Sequence, residues 1–194
     1  MVLLLVHGLG IGAQGEGPER PSGAQTLGHL AAYMGGLRLP FLQWLGLGNL
    51  LEAEGIEAAS PPAASVASMG HRSPTSDADV VVREMMGTSL AAMVTQGLDV
   101  VALGEISSLF DDNETTVRDP DLSLANLGTR VARAVDTVEQ GVVLAGTRLP
   151  WAAGPVGCAR VLQSLDAQLP VLLDQLGDDA LLLVAGTARG DGGL

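Results

Sequence analysis

The sequence predicts an α/β protein, one domain over residues 1–194 with a mostly parallel sheet and helices on both of its faces. Four short runs made almost wholly of Val, Leu, Ala and Gly carry this expectation, at residues 2–6, 98–103 (with Asp99 near its start), 141–145 and 180–185. None alternates with polar residues as a strand with one wet face would, so each reads as a strand covered on both sides. Helical spacing fills much of the chain between them, and strands alternating with helices make a parallel sheet with helices above and below. The length and the 47% hydrophobic content suit one core.

The first run enters a glycine-dense turn, His7-Gly8-Leu9-Gly10-Ile11-Gly12. Sites in open α/β sheets form at such strand ends. After a loop at residues 13–23, Ser22 or Thr26 is placed to cap a helix reaching Tyr33, and Pro40 suits the first turn of a short helix ending at Leu45. Residues 54–76 are rich in Ala, Ser and Pro and are broken by Ser60-Pro61-Pro62 and Ser73-Pro74, which reads as extended loop. The second strand ends at Gly104-Glu105, and residues 111–121 form an acidic connection. Leu124, Leu127, Val131, Val135 and Val138 then fall at helical spacing within residues 122–138. The third strand leads to a helix over residues 156–176 with a break at Pro170, and the fourth strand follows.

Composition excludes several function classes. The formal net charge is −12, from 22 acidic and 10 basic residues, and every basic residue is arginine. Nucleic acid is therefore not an expected partner. With no lysine, Schiff-base chemistry and a P-loop ammonium are absent too. Cys158 is the single cysteine and reads as a small buried apolar residue. No apolar run approaches the 18 or so residues of a membrane span. The first run has no basic segment before it and is cut short by Gly8, so no signal peptide is read and a cytoplasmic location is expected.

Several motifs in order resemble the phosphopentomutases, which belong to the alkaline-phosphatase-like metalloenzymes. They are Ala24-Gln25-Thr26-Leu27-Gly28-His29, Gly35-Gly36-Leu37-Arg38-Leu39-Pro40 and Leu45-Gly46-Leu47-Gly48-Asn49, then Glu84-Met85-Met86-Gly87, Asp99-Val100-Val101-Ala102-Leu103-Gly104 and Leu165-Asp166-Ala167-Gln168-Leu169-Pro170. The resemblance implies an alkaline-phosphatase-like core. It also implies that the family's cap domain is deleted between about residues 88 and 98, where this chain has eleven residues between Gly87 and Asp99.

At the family's working positions the residues differ. His7 stands where the family's first strand ends in a metal-binding Asp, and Ala78, beside Asp77, falls on the phosphorylated Thr. Alanine has no atom to accept a phosphoryl group. Glu105 replaces a lysine, Pro150 and Pro155 take positions of an Asp and a His ligand, and Gly186-Thr187 replaces an Asp-His pair. Two cations need about half a dozen Asp and His ligands between them. The expectation is thus a phosphopentomutase-like pseudoenzyme without a metal cofactor or catalytic residues. It would act by binding or regulation, through a protein partner or a second copy on the sheet face exposed by loss of the cap.

Two alternatives remain open. A residual metal-dependent phosphomutase or phosphohydrolase acting on sugar phosphates would hold Mn²⁺ with His7, Asp77, Asp79 and Glu105, which must then converge. An anion or nucleotide binder would use the amides of Gly8, Gly10 and Gly12 with Arg148 and Arg189. The turn from Gly8 also fits a dinucleotide fingerprint, but no acid follows about twenty residues on, and a tight turn is the simpler reading. His29 reads as a helix-packing or capping residue rather than a ligand, and Asp77 and Asp79 as solvated loop acids.

Overall fold

All four apolar runs form strands, and a fifth strand joins them at one edge. The computed structural model describes residues 1–11, 26–68, 78–86 and 90–187. The elements in chain order are β1 (Val2–His7), α1 (Thr26–Met34), α2 (Pro40–Leu45), α3 (Ala78–Met86), α4 (Leu90–Thr95), β2 (Asp99–Gly104), β3 (Val117–Asp119), α5 (Leu127–Thr137), β4 (Gly141–Arg148), α6 (Gly154–Leu176) and β5 (Leu182–Thr187). The strands lie in the order β3-β2-β4-β1-β5, and every pairing is parallel.

The period-two alternation of the strands divides the core into two layers. Val2, Leu4 and Val6 of β1, with Val101, Leu103, Val143 and Ala145, face the layer made by α1, α2, α5 and α6. Leu3 and Leu5, with Val100, Ala102, Val142 and Leu144, face α3 and α4 through Val82 and Leu90. The first layer is the thicker. Its longest member, α6, buries Cys158, Leu162, Leu165, Leu169, Leu172 and Leu176, a stripe at helical spacing.

Five expectations are corrected. β4 and β5 run on to Arg148 and Thr187, because His7 continues both ladders by pairing with each of them. The acidic connection contains β3, an edge strand too short and charged to show as an apolar run. α5 begins at Leu127 rather than near Leu122, since Asn126 closes a turn in front of it, accepting from the Ser123 amide at 2.7 Å and donating to the Asp121 carbonyl at 3.2 Å. α6 passes through Pro170 without a break: the proline is exposed, and buried Leu169 and Leu172 on either side hold the helix to the core against the lost hydrogen bond. Two helices were not anticipated, α3 and α4, and α4 lies within the eleven-residue stretch before β2. Thr26 is the first residue of α1, its buried hydroxyl accepting from the Gly10 amide at 2.8 Å, whereas Ser22 lies outside the described residues.

Candidate functional site

The C-terminal ends of β1 and β4, the turn that follows β2 and one residue of α3 form a small recess lined by Leu5, His7, Val82, Glu105, Ile106, Leu109, Gly146, Thr147 and Arg148. Its volume is about 300 Å³, part of it open solvent. Its place is the crevice that open parallel sheets offer to ligands. The floor is apolar, and the polar groups stand at the mouth.

His7 reaches this recess because it follows Leu3 and Leu5 on the α3 side of β1. Its Nδ1 shares a hydrogen bond with the Thr187 hydroxyl at 2.7 Å, and Thr187 is buried. The two residues are 180 positions apart in sequence and meet through the β1–β5 register. Across the mouth, the Arg148 Nε donates to Glu105 Oε2 at 2.9 Å, with the two side chains 57% and 62% exposed. Glu105 opens the 3-10 turn Glu105–Leu109 that follows β2, which aims it at the end of β4.

The backbone around the recess is tightly fitted. Gly8 has φ +85°, and a Cβ there would sit 2.5 Å from Trp151 Nε1, so the turn after β1 takes only glycine. A Cβ at Gly186 would sit far inside van der Waals contact with the Leu9 carbonyl oxygen, so the position aligned with a metal ligand in the resemblance has no room for a side chain unless that backbone shifts. Pro150 precedes the 3-10 turn Trp151–Ala153, and Pro155 sits in the first turn of α6. The Gly10 amide is engaged by Thr26, and its carbonyl accepts from the Leu27 amide at 3.0 Å. Ala78 and Asp79 belong to α3, but their side chains, like the whole of Gly12, Asp77 and Arg189, lie outside the described residues. His29 is exposed on α1 rather than packed, and Cys158 is buried as expected.

The described donors do not fit a pair of divalent cations. Glu105 and His7 are the described carboxylate and imidazole groups that line the recess, and Glu105 is paired with the Arg148 guanidinium at its mouth. Among the described residues no three His, Cys, Asp or Glu side chains are grouped as a metal site.

Two polar constructions outside the recess escaped the sequence reading. Asp166 on α6 is 2% exposed, and its carboxylate accepts from the backbone amides of Phe41 at 3.1 Å and Leu42 at 2.7 Å, at the start of α2. It does for α2 what a capping side chain normally does from within the helix. Arg83 of α3 pairs with Glu114 at 3.0 Å, donates to the Leu109 carbonyl and lies over the Phe110 ring. Glu114 is held below its ordinary pKa by the hydrogen bond from the Asp111 amide and then by Arg83. A lone acid within a helix gives no sequence signal for the first, and the arginine and its acid are 31 positions apart in the second.

No protein-family model matches the chain. Among curated proteins it is 34% identical over 90 residues to the phosphopentomutase of Desulfitobacterium hafniense, covering 46% of this chain and 23% of that protein. It is 36% identical over 88 residues to that of Syntrophotalea carbinolica and 39% over 88 residues to that of Symbiobacterium thermophilum, each covering 45% of this chain and 22% of the relative. The chain thus spans about a quarter of the length of the curated relatives it matches. Over a little less than half of its residues, this chain is related to phosphopentomutases.

Proposed function

We propose that this chain is a phosphopentomutase-like core that works by binding and not by phosphoryl transfer. The observation that carries the reading is the Arg148–Glu105 pair across the strand ends. A site that neutralises a phosphate with metal ions needs acidic ligands free to take the cations, and here the acid at the mouth already has an arginine as its counter-ion. The crowding at Gly186 and the alanine at position 78 support the same reading. The partner class we favour is protein, because a net charge of −12 opposes nucleic acid.

The competing reading, a residual Mn²⁺-dependent phosphomutase acting on sugar phosphates, draws on His7 and Glu105 sharing one recess. One experiment separates the two. Purified protein is incubated with excess Mn²⁺, desalted, analysed for bound metal and assayed for interconversion of pentose phosphates. Metal below a tenth of an equivalent on the order of the assay background, with no turnover, is the expected result. Close to two retained ions per chain, or turnover that chelator abolishes, would overturn the proposal.

A further inference from the structure

The recess joins an aliphatic wall to a pair of opposite charges, and together they single out one kind of ligand. Leu5, Val82, Ile106 and Leu109 supply the wall, and the first three are no more than 5% exposed. Glu105 and Arg148 stand at the mouth, both more than half exposed. Their hydrogen bond uses one atom of each, Nε and Oε2 at 2.9 Å. Among the described residues, the two Nη groups of Arg148 and Oε1 of Glu105 make no other hydrogen bond. The pair therefore offers a donor fork and an acceptor side by side without having to come apart.

Charge decides what fits there. An anion would have to approach a chain of net charge −12 and then lie against Glu105, whereas a cation would lie against Arg148. A molecule carrying both charges meets neither objection. Its ammonium can lie on the carboxylate and its carboxylate on the guanidinium fork, two ion pairs side by side in opposite senses. An α-amino acid holds the two groups on a single carbon, with nitrogen and carboxylate carbon about 2.5 Å apart, close to the 2.9 Å between Nε and Oε2. A third bond of that carbon carries the side chain, which is free to turn toward the wall.

We propose that the recess binds a free aliphatic α-amino acid, its ammonium on Glu105, its carboxylate on Arg148 and its side chain against Leu5, Val82, Ile106 and Leu109. The inference rests on the reading of this site as one that binds without metal ions. A volume of about 300 Å³, part of it open solvent, is at the small end for ligand sites and suits a side chain of a few carbons. Apolar contact then supplies the attraction, and the two charges fix the orientation.

The test is titration of the purified full chain with L-valine, followed by amide shifts in heteronuclear NMR. Saturable shifts are expected in residues 105–109 and 146–148. Isovalerate keeps only the carboxylate, isobutylamine only the ammonium, and glycine has no side chain; each is expected to bind at least about tenfold more weakly than valine. Glu105→Gln and Arg148→Gln are each expected to weaken valine by about tenfold or more, with little change in unfolding midpoint because the pair is exposed. Isovalerate, isobutylamine or glycine binding as tightly as valine, or valine binding unchanged in both variants, would overturn the proposal. So would the absence of any saturable shift with valine; if that protein also retains no Mn²⁺, the metal-free reading stands and this inference alone falls. Close to two retained ions per chain would overturn both.

Discussion

Replacing Asp166 with alanine removes the acceptor for two backbone amides at once, those of Phe41 and Leu42 at the head of α2. Hydrogen bonds to a charged group contribute roughly 1.5–3 kcal/mol each, and an amide left buried without a partner incurs its desolvation penalty. The carboxylate also lies at the positive end of a helix, although α2 is only six residues long and that contribution is at the small end of its range. Phe41 is half-buried, so water can reach its amide once the carboxylate is gone, and the low figure applies to each bond. The expected loss is about 3 kcal/mol, which for a chain of this size lowers Tm by roughly 6–12 °C. Asp166→Asn keeps one carbonyl oxygen for the shorter bond to Leu42 and should lose about half as much. Asp174→Ala, an exposed acid on the same helix, is the control that subtracts the gain in helix propensity. The assay is urea unfolding followed by far-UV dichroism and by tryptophan fluorescence. Trp44 lies on α2 with its ring 5.2 Å from that of Phe41, so it reports the docking of that helix. An Asp166→Ala variant within about 0.5 kcal/mol of Asp174→Ala would refute the reasoning.

Two other outcomes follow from the same geometry. Because the folded-state pKa of Glu114 lies below its ordinary value of 4.5, its contribution to stability is present above that pH and is lost as pH falls through the lowered folded value. Glu114→Gln should therefore flatten the acid side of the stability profile and leave its neutral-to-basic side unchanged in shape, checked by urea midpoints across that range; an unchanged acid limb would show that Arg83 and the Asp111 amide do not hold the carboxylate. Gly8→Ala places a Cβ against Trp151 at a positive φ, and should cost on the order of 1–3 kcal/mol with a shift in Trp151 emission, whereas a wild-type spectrum and midpoint would contradict the close fit.

The resemblance to phosphopentomutases was legible as motif order and is matched by relatives at 34–39% identity over about 45% of the chain. β1, β2 and β4 were legible because strand residues buried on both faces are mostly apolar, and Pro40 marked the start of α2 correctly, whereas β5 has the same apolar run although only Thr187 in it is buried. β3 was not legible, because its pairing with β2 makes it a strand although Arg118 and Asp119 give it no apolar signature. Pro170 misled for a related reason: a local penalty of about 3 kcal/mol predicts a break, but the buried leucines on both sides of it belong to a stripe that the sheet holds in place.

At the candidate site the division is sharper. The residue types at the strand ends are read directly from the chain: His7 at the end of β1, Glu105 after β2, Arg148 at the end of β4, and glycine and threonine at positions 186 and 187. Tertiary structure alone decided what those residues do to one another. His7 meets Thr187 through the β1–β5 register, Arg148 meets Glu105 across two strands, and Asp166 reaches the head of a helix 124 positions away. Apolar patterning and turn chemistry act within a few residues and leave a readable local trace. A hydrogen bond or ion pair between distant residues leaves none, because its partner is fixed only once the sheet register and the packing of α6 have brought the two groups together.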